Sequence, residues 1–312
     1  MSESQADPVV AAMSRLVPAG FVRGRVTREQ ARQLSWIEAG SADPPVVLVA
    51  GAGEVGLDWA VMLPELVERH RVIAYDRAGL GGSGRIARLT LDSQVQDLAA
   101  LLDVVGPAVL VGHSWGGLIA ELTTLTRPDR VLGLVLVDPF HEEMAAAVPL
   151  ALRAASSLML GGIVLLKAVG LFPRIAARMG RELAERCTRD PGIQALLVDA
   201  YIASYATTAQ VATIRAENRL ADTSSHAIRA ARAASSAPDI PMRILTASTG
   251  KPPKLQQRAR ELGERTAATF PHGQHITVPG SGHYIHKDRP STVVGAIGAV
   301  TDAAARGRGK EA

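Results

Sequence analysis

Ala108-Val-Leu-Val-Gly-His-Ser-Trp-Gly-Gly-Leu-Ile-Ala120 is the stretch that decides the fold. Its first part, Ala108–Gly112, is an unbroken apolar run, the pattern of a strand covered on both faces. Its last part opens an apolar helix running to Thr126. Between them sits Gly112-His-Ser114-Trp-Gly116, a G-x-S-x-G pattern in strand-to-helix context. A turn that tight leaves no room for side chains two residues either side of Ser114, and glycine removes the clash. Such a turn strains Ser114, lifts its hydroxyl clear of the sheet, and aims a helix N-terminus at the same point.

Reading outward, the same alternation repeats. Pro45–Ala50 is a buried strand that ends in Gly51-Ala-Gly53. A helix follows over Trp59–Arg69, then a strand over Arg71–Tyr75 that ends at Asp76. Leu91–Val105 is an amphipathic helix, and Val131–Val137 a strand ending at Asp138. Strand and helix in alternation predict a parallel sheet with crossover helices. Upstream, Phe21–Val26 and Gln33–Glu38 read as an antiparallel pair. From His141 to about Ser236 the pattern is helical and Ala-rich, without strands. Strands resume at Met242–Thr246 and His275–Val278, and Pro290–Ala304 closes the chain as a helix. The expected organisation is an α/β core over 1–140 and 237–312, interrupted by a helical insertion over 141–236.

Composition narrows the chemistry. Net charge is +4 over 312 residues, but Lys and Arg form no run longer than two and no basic stripe with aromatics, so nucleic acid is not an expected partner. Cys187 is the only cysteine, which excludes an intrachain disulfide and sits beside no histidine. The N-terminal ten residues lack the apolar core of a signal peptide. The most apolar stretch, Leu158–Phe172, is interrupted by Lys167 and is shorter than the ~20 residues a membrane span needs. A cytoplasmic location and no stable membrane insertion are expected; oligomeric state is open.

A serine hydroxyl becomes a nucleophile only when a base takes its proton. Of eight histidines, His283 in Gly280-Ser-Gly-His-Tyr284 lies just after the last strand, at the same sheet edge as Ser114. His113 is inside the turn and points away, and His286 reads as a surface or helix-entry residue. A carboxylate must orient the imidazole. The loop Ala247–Lys254 contains none, so Asp138 is the expected acid, with Glu142 and Glu143 in reserve. Two backbone N–H groups should face the developing oxyanion: Trp115, next after the nucleophile, and Ala52 in the glycine loop. Gly51-Ala-Gly-Glu-Val-Gly56 also matches G-x-G-x-x-G, with Asp76 twenty residues on. That dinucleotide reading leaves the serine turn and the His283 loop unexplained and ranks below. No metal ligand cluster is visible in the spacing, and no cofactor is expected.

Taken together, Val46–Gly53, Tyr75-Asp-Arg-Ala-Gly-Leu-Gly-Gly-Ser83, Gly112–Gly116 and Gly282–Pro290 resemble, in order, the motifs of the α/β-hydrolase family. The resemblance implies a mostly parallel eight-stranded sheet, an active site at its carboxyl edge and a helical cap inserted after the sixth strand. It implies a structural role for Asp76, Arg77 and Ser83. Two departures stand out: Ala50 replaces a common histidine, and the acid follows the sixth strand rather than the seventh, as in a subset of the family. Tyr201 and Tyr205 are similar to the tyrosine pair of the family's epoxide hydrolases. Those enzymes use Asp at the position of Ser114, so here the tyrosines read as packing residues. The function implied is hydrolysis of an ester-like small molecule, a carboxylic ester or thioester with an apolar acyl group, through an acyl-enzyme. Acyl transfer, or non-hydrolytic lyase or cyclase chemistry on the same fold, is the alternative.

Overall fold

A computed structural model describes residues 7–17, 20–28, 32–147, 158, 162–163, 165–167, 169–206 and 208–308. Eight strands form one sheet: β1 (Phe21–Thr27), β2 (Gln33–Ala39), β3 (Val46–Val49), β4 (Val72–Asp76), β5 (Ala108–His113), β6 (Val131–Val137), β7 (Pro241–Ala247) and β8 (His272–Val278). Their order is β1-β2-β4-β3-β5-β6-β7-β8. The β1–β2 and β2–β4 pairs are antiparallel and all the others parallel.

The central strands are apolar up to their carboxyl ends because both faces are covered. Val46 and Leu48 of β3 join Val109, Val111, Val135 and Val137 in one core cluster. Val47 and Val49 face the other way, with Leu110, Leu134 and Leu136. Along the chain, α1 (Pro8–Leu16), α2 (Leu63–Leu66), α3 (Leu91–Val105) and α4 (Ser114–Thr126) precede β6. Leu98, Leu101 and Leu102 of α3 and Leu118, Ile119 and Leu122 of α4 cover the second face. Between β6 and β7 the described residues form helices and no strand: α5 (Glu142–Ala147), α6 (Phe172–Cys187), α7 (Pro191–Tyr205), α8 (Thr208–Thr223) and α9 (Ser225–Ala233). After β7 come α10 (Pro253–Thr269), α11 (Ile285–Asp288) and α12 (Pro290–Arg308). Val293, Ile297 and Val300 of α12 seal the first face.

Two elements differ from the sequence reading. Trp59–Arg69 is not one helix but a 3₁₀ turn (Gly56–Trp59) followed by the short α2. Pro64 fits only a first turn, and the Asp58 carboxylate accepts from Val55 N at 3.0 Å, which closes the tighter turn. The last strand begins at His272 rather than His275. As an edge strand with a half-exposed face, β8 carries polar residues that hide its start.

The chain leaves β3 to make β4 on one side and returns to make β5 on the other. The carboxyl ends of β3 and β5 therefore flank a crevice at the point where the winding reverses, the usual ligand position in an open α/β sheet.

Candidate active site

Ser114 stands at that crevice with φ +50°, one of two non-glycine residues at positive φ among those described. A side-chain-bearing residue there costs about 1–2 kcal/mol, and the neighbours enforce it. A Cβ on Gly112 would lie 2.5 Å from Gly116 O, and one on Gly116 would lie 2.2 Å from Ala50 O. The elbow thus packs backbone on backbone, against itself and against the end of β3. Phe140 N donates to Ser114 O at 2.9 Å, which ties the turn to the segment after β6.

The other positive-φ residue is Asp138, at +40°. Its buried carboxylate is 2.6 Å from His283 Nδ1 and accepts from Ala247 N at 3.1 Å and Lys251 Nζ at 2.6 Å. Burial works to raise its pKa, but His283 and Lys251 outweigh that and bring it down to about 2. Burial also favours the neutral His283 imidazole and lowers its pKa, against the opposing pull of Asp138. One edge of that ring nevertheless stays open, with 42% of the side chain exposed. The loop carrying His283 is pinned at both ends: Ser281 Oγ donates to Val278 O at 2.9 Å, and Gly282 N to Asp288 Oδ2 at 2.9 Å. Lys251 lies in the very loop that lacks a carboxylate, so the position after β7 supplies a counter-charge to Asp138. Glu142 and Glu143 are not brought to His283: Glu142 pairs with Arg232 at 2.6 Å, and Glu143 with Arg258 and Arg265.

The glycine loop is built from buried charge. Glu54 Oε2 accepts from Gly51 N at 2.8 Å, and Arg77 donates to the carbonyls of Ala50 and Gly51. Ala52 is exposed at the loop's tip and, among the described residues, its N–H has no hydrogen-bond partner. Trp115 lies in the first turn of α4, where an N–H lacks an intrahelical acceptor; its indole Nε1 donates to Gln94 Oε1 at 2.9 Å. Asp76 is structural, accepting from Gly56 N and Gly82 N at 2.8 Å each. Ser83 Oγ donates to the Asp76 carbonyl at 2.5 Å.

Sequence reasoning missed a buried polar cluster behind Ser114. His113 sets Nδ1 2.8 Å from Glu54 Oε2 and Nε2 3.1 Å from His283 O. Both ring nitrogens face acceptors, so His113 has none free to take a proton from serine. His286 is not a surface residue: it is 1% exposed, its ring 4.5 Å from those of Trp59 and His113. Burial, then the neighbouring His113, hold its pKa well below the ordinary histidine value. Lys287 bridges Glu54 and Asp58 at 3.2 and 2.8 Å, and Tyr205 donates to Asp58. Tyr205 thus braces the inserted helices on the core, stacked on Tyr201 with ring centroids 4.5 Å apart. Contrary to the spacing-based expectation, potential metal ligands do converge, as Glu54–His113–His286 and His141–Glu142–Glu143. In the first group Lys287 already supplies the cation beside Glu54, and in the second Arg232 does so for Glu142. Cys187 is an unpromising nucleophile, since burial pushes its thiol up to about 12.

A stretch of 99 residues is 43% identical to a lipase of Mycobacterium tuberculosis, covering 30% of this chain and 36% of that protein. Another, of 131 residues, is 35% identical to an epoxide hydrolase of the same organism, covering 40% and 38%. The chain therefore matches well under half the length of these relatives. A solved structure from Nostoc sp PCC 7120 superposes with a TM-score of 0.68 at 19% identity, over 90% of this chain and 98% of that one. A haloalkane dehalogenase loop variant from Bradyrhizobium elkanii does so at 0.63 and 21%, over 93% and 99%; at such identities the likeness is one of fold. The alpha/beta hydrolase family model matches residues 46–296, from the first parallel strand into the closing helix, and the chain belongs to that family.

Proposed function

We propose that the chain is a serine hydrolase of ester-like small molecules, carboxylic esters or thioesters. The observation that carries this reading is one constellation. Ser114 is held at positive φ at the carboxyl end of β5, beside a loop whose His283 is bonded at 2.6 Å to buried Asp138. An Asp at position 114 would favour alkyl transfer; a serine favours acyl transfer.

In this reading Ser114 Oγ attacks the carbonyl carbon as its proton passes to His283 Nε2. Asp138 keeps the Nδ1 proton in place and stabilises the imidazolium. The N–H groups of Ala52 and Trp115 donate to the oxyanion. The leaving alcohol or thiol departs with the proton from His283. Water then loses a proton to His283 and attacks the acyl-enzyme; collapse releases the acid and returns the proton to Ser114. No step calls for a metal or organic cofactor.

Residues 141–236 are read as a cap over the crevice, with the protein working as a soluble cytoplasmic enzyme. Among the described residues no helix is long and apolar enough to cross a membrane. The apolar segment Leu158–Phe172 falls partly outside the described residues, and its Leu158, Leu165 and Val169 are exposed. The acyl group is therefore assigned by class only. A p-nitrophenyl ester series with acyl chains from acetyl upward, with matching thioesters, tests the reading. Turnover abolished by Ser114→Ala is the expected result. Turnover that persists in that variant, or none with any member for folded wild type, overturns it and favours lyase or cyclase chemistry.

A further inference from the structure

The glycine loop is held by a carboxylate from outside the core. Glu217, on α8 of the insertion, is 0% exposed and receives four N–H donors. Gly53 N donates to it at 2.7 Å, Arg77 Nε and Nη2 at 2.8 and 2.9 Å, and Gln94 Nε2 at 2.7 Å. Each partner leads to a proposed oxyanion donor. Gln94 also accepts from the Trp115 indole, and Arg77 grips the Ala50 and Gly51 carbonyls.

Peptide geometry gives this wiring a direction. In a planar trans peptide the C=O and N–H point opposite ways. Turning Gly51 O onto Arg77 therefore aims Ala52 N–H away from Arg77. Fixing Gly53 N–H on Glu217 sets the next peptide plane. Both planes flanking Ala52 are thus pinned, and the two pins meet at one carboxylate. Ile214 lies one turn before Glu217, and a Cβ on Gly53 would come within 2.9 Å of it, so helix and loop pack without a gap. Withdrawing Glu217 would leave Arg77 buried without its counter-ion, a costly state.

We infer that Glu217 is a positioning residue: docking of α8 sets the oxyanion loop, so that the hole is formed only while the insertion sits on the core. The catalytic consequence rests on the serine hydrolase reading; the coupling of helix to loop does not.

Three variants test it: Glu217→Gln, Glu217→Met and the charge-balanced double variant Arg77→Met/Glu217→Met. Two readouts are needed, amide hydrogen exchange over residues 50–56 and kcat and KM for the best ester. Faster exchange in that segment is expected, with kcat lowered about 10²-fold, the size of one lost oxyanion donor. KM should stay within threefold, and the acid limb of the pH profile should not move, because His283 and Asp138 are untouched. The double variant should recover melting temperature but not kcat, so a fold lost in Glu217→Met leaves the test intact. Unchanged exchange over 50–56 overturns the inference, as does a folded variant with kcat within threefold of wild type. If wild type turns over no ester, the hydrolase reading falls separately, and exchange alone decides the coupling.

Discussion

Gly116 and Gly295 show how the same substitution changes sign with its surroundings. A Cβ on Gly116 would meet Ala50 O at 2.2 Å and Val49 O at 2.3 Å, backbone atoms at and just after the end of β3 that cannot swing aside. Gly116→Ala should cost about 1–3 kcal/mol and lower the melting temperature accordingly. A Cβ on Gly295, inside α12, would meet nothing within 4 Å. Gly295→Ala should stabilise by about 0.5–1 kcal/mol through helix propensity, read from urea unfolding. At Lys251 the prediction concerns pH. Its ammonium lies 2.6 Å from Asp138 and is among the causes that lower the His283 pKa. A lowered pKa keeps the base neutral, so kcat/KM should rise with pH along a limb whose midpoint lies below the ordinary histidine value of 6.5. Lys251→Met removes a repelling charge, so the imidazolium persists to higher pH and the acid limb should move upward. A limb that moves down or stays put contradicts this assignment.

Elements were legible where burial is two-sided and opaque where tertiary charge decides. Leu91–Val105 and Val131–Val137 have the bounds their apolar patterns imply. β8 and the Trp59–Arg69 segment do not, because one is a half-exposed edge and the other is shaped by Asp58 and Pro64. Ser114, His283 and Asp138 could be nominated from the sequence because each follows a strand, and three parallel strands end at one edge; the structure brings Asp138 and His283 to 2.6 Å. Lys251, His286 and Glu217 were not: none has a local pattern, and each acts on a partner tens to over a hundred residues away. Lys287 is of the same kind, joining α11 to Glu54 and to Asp58 in the 3₁₀ turn. The charges on all three are mostly buried, with side-chain exposures of 20%, 11% and 2%. Lys287→Met would strand two carboxylates and should cost about 3 kcal/mol, seen as a lower urea midpoint. Glu54 is held well below the carboxylate range, against burial, by His113 and then Lys287. The loss should therefore be largest near neutral pH and shrink as acid protonates the freed carboxylate in the variant.

Among the described residues, core and insertion are joined at several points. Tyr205 reaches Asp58, Glu217 reaches the glycine loop, and α1 packs against α7. Val9, Ala12, Met13 and Leu16 of α1 share one core cluster with Leu183, Leu197 and Tyr201 of the insertion. Met13 is 1% exposed, so Met13→Ala should cost about 2–4 kcal/mol. Its effect should appear as an earlier thermal transition with kcat/KM of the remaining folded protein unchanged. An α/β sheet places its ligand crevice by topology alone. The chemistry performed there depends on whether Ser114 is activated, and intact-mass labelling with a fluorophosphonate probes that atom directly. The expected result is a single adduct on wild type that is lost in Ser114→Ala and slowed by orders of magnitude in His283→Ala. Folded wild type that stays unlabelled beside a reactive control hydrolase, or an adduct that survives Ser114→Ala, would contradict it.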